Sequence, residues 1–355
     1  MKRSHFNSIL TNGHSQAPPF KGGERVTKLE EAPLFYGGVS LTSTIPFFVV
    51  LVGIIMVSLS QPIVAQTESD STDVSIHNYY TSPPFEEIYY YAIETEEGLI
   101  LIDTGRLLSQ ARYALEELEQ FNKPILGIMI THPHTDHFGG LPVFVEAAGG
   151  NVPIYASQIT FDSIRSDKRS YIENRNEQLG KDFPDSAEIP LPNSIVEDGQ
   201  TLTIGNVNIV ANDFPTNESD TTTVYYLPEQ RVMFIGDLVN GEKTPGLFEG
   251  NTSNWLTTLR AIQQRFPDLE QVYPGHTEPD RPEDLIEAQI NYIETFRNLV
   301  SQALENDEAV DDTEKQDIAN AIEELYPDYE TSLLLPGLID INIDGVAEEL
   351  QGENN

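Results

Sequence analysis

The chain has 355 residues, and its 57 acidic side chains against 20 basic ones give a formal net charge of −37. A field of that sign repels nucleic acid and anionic membrane surfaces, so both are excluded as partners and a small-molecule substrate is expected. The sequence contains no Cys, so a bound metal would have to use His, Asp, Glu or water rather than thiolate. A chain of this length can hold one large domain or two small ones.

The N-terminal part of the chain contains a long uncharged stretch, residues 32–67, with a compact apolar run at residues 46–59. That run has the length of a signal-peptide core and is shorter than the roughly 20 residues of a membrane span. We expect residues 1–65 to be an export signal with a leader, so that the mature protein is periplasmic or extracellular. The alternative is a retained membrane anchor at residues 46–59. Residues 66–75 are polar and are predicted to form a linker.

The first half of the remaining chain predicts strands and outer helices. β-rich runs at residues 88–93 and 99–102 predict a hairpin. Apolar residues at helical spacing predict a helix at 107–121, and the continuous apolar run at 125–130 predicts a strand that is covered on both faces. A helix at 141–148 and a buried strand at 153–156 follow.

Residues 158–194 are polar and carry five basic side chains, Arg165, Lys168, Arg169, Arg175 and Lys181. This stretch predicts a helical excursion over the sheet edge, either as a solvated face or as an attractor of an anionic substrate. The elements predicted after it are strands at 200–204, 207–210, 223–227, 231–235 and 271–273, helices at 254–265, 281–305 and 312–325, and a weakly helical tail at 345–350. Hairpins followed by alternating strands and helices predict an α+β fold with a sheet-on-sheet core and helices outside. The main domain is expected at 76–300, with a helical extension at 301–355 packed on it.

Four metal-competent side chains occur within six residues: His132, His134, Asp136 and His137. Residues i and i+2 of an extended backbone point the same way, so His132 and His134 can converge on one ion. Asp136 and His137 follow after a bend and can face a second ion. Imidazole and carboxylate together suit a divalent metal such as zinc.

Three later residues also occur at strand ends. Asp237 follows the strand at 231–235, His276 follows the strand at 271–273, and Glu218 lies in the loop before the strand at 223–227. Each of these positions alone is a weak signal. Strand-end loops that carry metal-competent side chains in this order predict one shared centre.

The chain resembles the metallo-β-lactamase-fold hydrolase superfamily over about residues 76–300. The motifs that carry the resemblance are Leu101-Ile-Asp-Thr-Gly105, the His132–His137 cluster, Ile235-Gly-Asp-Leu238 and Pro274-Gly-His276. The resemblance implies a four-layer αββα sandwich with a two-metal hydrolytic site along one sheet edge. It also implies three sets of ligands: His132 and His134 for the first ion, Asp136, His137 and His276 for the second, and Asp237 as a bridge.

One position departs from the family pattern. Most members supply a third His to the first ion from a loop ten residues before the Pro that ends the next strand, and counting back ten from Pro228 gives Glu218. We interpret Glu218 as the replacement for that His, as the resemblance to alkylsulfatases also implies. A solvated loop acid and Asp220 as the ligand are the alternatives. A carboxylate here would favour Mn²⁺ or Fe²⁺ more than an imidazole would, although two Zn²⁺ ions are the expected cofactors.

Further roles are predicted around these ligands. Asp136 is also the catalytic candidate, because it could orient a hydroxide nucleophile. Asp103 ends a buried strand and is expected to bind backbone N–H groups or support a ligand His. Phe85, Leu247 and Phe248 are predicted by position to wall an apolar substrate pocket.

The predicted function is hydrolysis of a small ester, lactone or related bond. Asp237 favours this over a true β-lactamase, because lactamases of the fold that the chain resembles generally lack an acid at the bridging position. A sulfatase is the main alternative, suggested by Glu218. A β-lactamase-like hydrolase, a di-iron redox enzyme and a non-catalytic metal-binding protein are the others.

Overall fold

The computed structural model describes residues 74–81, 87–305, 309–332 and 334–353. The predicted export signal or anchor at 1–65, most of the predicted linker and the pocket candidate Phe85 lie outside the described residues. Within the described ranges, none of the helices is both long and apolar enough to cross a membrane.

The first sheet has six strands in sequence order. They are β1 (Ser75–Tyr80), β2 (Tyr89–Glu94), β3 (Leu99–Ile102), β4 (Ile125–Met129), β5 (Ile154–Ala156) and β6 (Ser194–Ile195). Strands β1 to β3 are antiparallel, and β3 to β6 are parallel. The helices in this half are α1 (Leu108–Leu118), α2 (Thr135–Phe138), α3 (Leu141–Ala147), α4 (Gln158–Ser166) and α5 (Tyr171–Leu179). β1 was not predicted, and it pairs with β2 along its whole length.

The second sheet has five strands in the order β11-β10-β9-β8-β7. They are β7 (Gln200–Ile204), β8 (Val207–Pro215), β9 (Thr221–Leu227), β10 (Val232–Gly236) and β11 (Gln271–Pro274), and only the β10–β11 pair is parallel. The helices in this half are α6 (Thr252–Arg265), α7 (Pro282–Leu304), α8 (Asp312–Leu325) and α9 (Leu338–Glu353). The tail predicted as weakly helical over 345–350 is therefore a longer helix, because its apolar residues Ile343 and Val346 are fully buried.

Apolar side chains fill three layers. Alternate residues of the first sheet, such as Tyr91 and Ile100, pack against Tyr225 and Phe234 of the second sheet. The opposite face of the first sheet packs on residues of α1 and α3, and that of the second packs on residues of α6 to α9. Burying one such large side chain stabilises the fold by about 1.5–3 kcal/mol. The predicted α+β, four-layer αββα architecture is confirmed.

The two sheets place several strand ends along one edge. β10 ends in an irregularity at Gly236, whose φ of +56° is the left-handed region that glycine tolerates. The N–H of Gly275 donates to the carbonyl of Gly236 (3.0 Å), and the N–H of Tyr89 donates to the carbonyl of Gly275 (2.7 Å). These bonds fix the segments that carry Asp237 and His276 beside each other and beside the first sheet.

Candidate metal centre

Two groups of side chains meet at this edge, and the candidate ligand atoms within each group lie within 4.8 Å of one another. The first group is His132, His134, Glu218 and Asp237, and the second is Asp136, His137, Asp237 and His276. All of the ligand candidates that the sequence predicted are therefore brought together. Asp237 belongs to both groups, at the position predicted for a bridge.

In the first group, both imidazoles face Glu218. Nδ1 of His134 lies 3.2 Å from Oε1 of Glu218, and Nε2 of His132 lies 3.7 Å from Oε2. Glu218 is 6% exposed, so it is not the solvated loop acid that was one alternative. Asp220, the other alternative, instead accepts a hydrogen bond from Ser163 (2.9 Å) and pairs with Arg169.

The loop between β8 and β9 holds Glu218 in place by its own hydrogen bonds. The N–H of Thr216 donates to the carbonyl of Asp220 (2.8 Å), and the N–H of Asn217 donates to the carbonyl of Ser219 (3.0 Å). The hydroxyl of Thr222 also donates to Oδ1 of Asn217 (2.8 Å). A loop closed in this way delivers Glu218 with little conformational freedom.

In the second group, Asp237 and Asp136 face two imidazoles. Nε2 of His276 lies 3.0 Å from Oδ2 of Asp237 and 3.3 Å from Oδ2 of Asp136. Nε2 of His137 lies 3.3 Å from Oδ1 of Asp237. Asp136 and His137 lie on the short helix α2, which turns them away from the extended segment that carries His132 and His134.

The second ring nitrogen of most of these His has a partner. Asp103 accepts from Nδ1 of His137 (2.8 Å) and from the N–H of Thr131 (2.8 Å), which is the supporting contact that the sequence predicted. Nδ1 of His276 lies 2.9 Å from the carbonyl of Glu87, and Nδ1 of His132 lies 3.0 Å from Oγ1 of Thr131. These contacts orient the rings so that Nε2 faces the centre.

Several buried polar atoms at the centre have no hydrogen-bond partner among the described residues. They are Nε2 of His132, Nε2 of His137, Oε2 of Glu218 and Oδ1 of Asp237. A buried polar atom without a partner costs about 1–3 kcal/mol. A cation held by each group would give all four atoms a partner. A donor set of nitrogen and oxygen atoms suits divalent Zn, Mn or Fe. The residues present therefore fit two divalent cations, one in each group.

Charge in the cluster shifts the pKa of its members in opposite directions. Burial lowers the pKa of His137, but Asp237 and Asp103 outweigh burial and raise it to about 10. The pKa values of His134 and His276 are likewise raised well above the ordinary value, against the effect of burial, by neighbouring carboxylates. In the metal-free protein these rings are therefore imidazolium partners of carboxylates, and metal binding must displace their protons.

The pKa values of the carboxyl groups Asp136 and Asp237 are lowered rather than raised. Burial raises the pKa of Asp136, but Arg106 and His137 outweigh it, so that the pKa lies well below the usual range. Burial likewise opposes the lowering of the Asp237 pKa, which His137 and His276 nevertheless hold well below the usual range. Both carboxylates are therefore ionised and ready to bind a cation.

Two residues that the sequence analysis did not select also lie at the centre. Nη2 of Arg106 lies 3.1 Å from Oδ2 of Asp136, and both side chains are buried. Arg106 directly follows the Asp103-Thr-Gly105 motif, which could have pointed to it. Oε1 of Glu249 lies 3.5 Å from Nε2 of His134. No sequence signal distinguishes Glu249 among 57 acidic residues.

The prediction that Leu247 lines a substrate pocket is wrong. Its side chain is 1% exposed and belongs to the core under α6 to α9, because the loop after Asp237 folds inward onto α9. Phe248 is half-buried and covers Gly246. The residue of this loop that reaches the centre is the next one, Glu249.

Two of the five basic side chains of the 158–194 excursion form ion pairs with carboxylates of the protein. Arg165 pairs with Asp162, and Arg169 pairs with Glu249 and Asp220. The excursion forms helices α4 and α5, as predicted, and α5 contacts α2. These ion pairs do not support the interpretation that the excursion attracts an anionic substrate.

Residues 84–276 match the family model described as the metallo-beta-lactamase superfamily. This match covers more than half of the chain, and the chain belongs to that superfamily. Two solved structures have the same fold: a metallo-beta-lactamase family protein from Thermus thermophilus (17% identity, TM-score 0.58, 79% of this chain and 93% of that one) and a double mutant of a sec-alkyl sulfatase (17% identity, TM-score 0.55, 79% and 50%).

Curated relatives have more than one activity. The chain is 29% identical over 204 residues to a linear primary-alkylsulfatase of Pseudomonas sp. strain ATCC 19151 (49% of this chain, 36% of the relative). It is 24% identical over 196 residues to a hydroxyacylglutathione hydrolase of Shewanella halifaxensis (55% and 63%), and 22% identical over 192 residues to a type 2 metallo-beta-lactamase of Bacillus cereus (52% and 65%). The chain thus spans between about a third and two thirds of the length of these relatives.

Proposed function

We propose that this protein is a hydrolase that uses two divalent metal ions to cleave a small ester, lactone or related bond. The observation that carries the proposal is the position of Asp237, whose carboxylate belongs to both groups of candidate ligands. One oxygen faces His137 (3.3 Å) and the other faces His132 (3.5 Å) and His276 (3.0 Å). A carboxylate held in this way can bridge two ions.

Two Zn²⁺ ions are the proposed cofactors, with Mn²⁺ or Fe²⁺ favoured more than usual by the carboxylate of Glu218. When bound, such ions polarise the scissile bond and lower the pKa of a water molecule to near neutrality. His132, His134 and Glu218 would hold the first ion, and Asp136, His137 and His276 the second. The wholly buried His132 and His137 form the floor of the centre.

The accessible side of the centre indicates where substrate would enter. The side chains of His134 and His276 are 14% and 15% exposed, while the other candidate ligands are more buried. Asp136 is ionised and held by the buried Arg106, so it can orient a water molecule by accepting a hydrogen bond from it. Substrate would approach the centre between His134 and His276, on the side where Asp136 could orient the water molecule.

Turnover with and without metal tests the proposal. The purified protein should hydrolyse at least one member of a panel of carboxylic esters, lactones, phosphodiesters and β-lactams, lose this activity on chelation and regain it with Zn²⁺. His134→Ala should reduce kcat/KM by at least 100-fold. His77→Ala is the matched control, because His77 pairs with Glu94 outside the centre. A protein that holds two ions but turns over no substrate class would support the metal-binding alternative.

Hydrolysis of a primary alkyl sulfate is the second candidate function. It is favoured by Glu218 in the first group and by the 29% identity to a linear primary-alkylsulfatase. A comparison of kcat/KM for an alkyl sulfate and for a carboxylic ester of the same alkyl length distinguishes the two candidates. A ratio above about 10 in favour of the sulfate would select this candidate.

We also propose that the protein is exported. The proposal rests on the uncharged stretch at residues 32–67 and its apolar run at 46–59. N-terminal sequencing of the mature protein should find a start near Gln66. An intact Met1 on an exported protein would instead support the membrane anchor.

A further inference from the structure

We propose that Glu249 is a positioning residue for His134, and that helix α9 sets the loop from which Glu249 reaches it. This inference rests on the proposed metal centre. It concerns a contact between a loop, an outer helix and one candidate ligand, which neither the motifs nor the family resemblance indicates.

The contact completes a pattern at the four candidate ligand His. His132, His137 and His276 each have a partner on the ring nitrogen that faces away from the centre. His134 is turned the other way: Nδ1 faces Glu218 (3.2 Å), and Nε2 faces Oε1 of Glu249 (3.5 Å). When Nδ1 binds an ion, the ring proton is on Nε2, the nitrogen that lies 3.5 Å from the carboxylate of Glu249. A carboxylate in that place fixes the tautomer and orientation of a ligand His.

Glu249 is itself held firmly. Its side chain is 4% exposed, the hydroxyl of Tyr171 donates to Oε1 (2.8 Å), and Arg169 forms an ion pair with the same oxygen. These two partners come from the segment that leads into and begins α5. The remaining oxygen, Oε2, is buried and has no hydrogen-bond partner among the described residues. The carboxylate is therefore kept beside His134 rather than in solvent.

Helix α9 fixes the loop that carries Glu249. The fully buried Asn342 donates through Nδ2 to the carbonyl of Pro245 (2.8 Å) and accepts through Oδ1 from the N–H of Leu247 (2.7 Å). Gly345 lies so close to Phe248 that a Cβ atom there would be 2.6 Å from the Phe248 Cα. Beyond the loop, Glu349 accepts from the N–H of Thr252 (3.0 Å). The residues on both sides of Glu249 are thus tied to one helix.

Zn²⁺ titration of the metal-free protein against a chromophoric chelator tests the inference. Wild-type protein should give two binding constants, and a His276→Ala background, which lacks a ligand of the second group alone, identifies the constant of the first group. Glu249→Ala should weaken that constant by about 10–100-fold and leave the other unchanged. Glu249→Gln should restore most of the loss, because the amide oxygen can accept a hydrogen bond from Nε2–H of His134.

Asp220→Asn is the matched control. It removes the other carboxylate that pairs with Arg169 and leaves Glu249 facing His134. First-group affinity should stay within about twofold of wild type in this variant. An unchanged constant in Glu249→Ala, or an equal loss at both groups with a lower unfolding temperature of the metal-free protein, would overturn the positioning role. Failure of the wild-type protein to bind two ions would instead overturn the proposed function.

Discussion

Glu218 adds a second carboxylate to the first group, at the position where the family resemblance implies an imidazole. Glu218 and Asp237 together give that group two negative charges beside two His. Buried carboxylates are costly unless cations neutralise them. We therefore expect the first ion to be held more by charge than in a three-His site, with a wider choice of divalent metals.

The role of Glu218 can be measured by metal content. Glu218→Ala should lower the bound metal from two ions per chain to one, because the second group does not include Glu218. Asp220→Ala, two residues away in the same loop, should retain both ions. Elemental analysis after gel filtration provides the measurement. Two ions in Glu218→Ala would exclude Glu218 as a ligand.

Metal binding should release protons at neutral pH. Carboxylates raise the pKa of His137 to about 10 in the metal-free protein, and a His must lose its proton before it can bind an ion. The apparent affinity should therefore increase as the pH rises from 6 towards 10. Conversely, the stabilisation that protonated His137 gives to the metal-free fold is fully present below the ordinary His pKa and lost as the pH rises through about 10.

Calorimetry in two buffers of different ionisation enthalpy measures this release. We expect at least one proton per chain to be released at pH 7, and fewer as the pH rises. The same heat of metal binding in both buffers at pH 7 would contradict the expectation that these His are protonated in the metal-free protein.

At the scale of elements, the strands that end at the centre could be predicted from sequence. The apolar run at 125–130 and the strands before Asp237 and His276 are continuous enough to be recognised, and metal-competent residues at their ends follow directly. Glu218 could be located by its spacing from Pro228. Each of these residues depends mainly on local sequence and on the position of one strand.

The remaining features depend on contacts between distant segments. Leu247 and Glu249 are two residues apart, yet one enters the core and the other reaches His134, because α9 determines how their loop lies. The helix α9 is longer than the sequence predicts, because its apolar residues are buried only when they pack on α7 and α8. β1 likewise forms because β2 is available to pair with it along its whole length.

Two glycines of α9 test the link between this helix and the centre. A Cβ at Gly345 would clash with the backbone of Phe248, whereas a Cβ at Gly352 would have no heavy atom of the described residues within 4 Å. Alanine has the higher helix propensity at both positions, by about 1 kcal/mol. Gly345→Ala should therefore weaken Zn²⁺ binding at the first group by several-fold, and Gly352→Ala should not. Equal Zn²⁺ affinities of the first group in the two variants would show that the position of α9 does not affect His134.

At the scale of the whole molecule, the candidate ligands come from four separate segments between residues 132 and 276. They meet only after both sheets have formed, so metal binding and folding are coupled. A ligand that binds the folded state alone stabilises it by about 2.7 kcal/mol at 100 times its Kd. The strong negative charge of the chain, −37, further favours cation binding by raising the local cation concentration.

The most direct test of the dinuclear centre is the number of metal ions bound to wild-type protein and to Asp237→Ala. Asp237 is the residue that both groups share, so its loss should weaken both sites at once. We expect wild-type protein to hold two divalent ions per chain by elemental analysis and Asp237→Ala to hold fewer than one. A single ion in wild-type protein, or two ions retained in Asp237→Ala, would contradict the account.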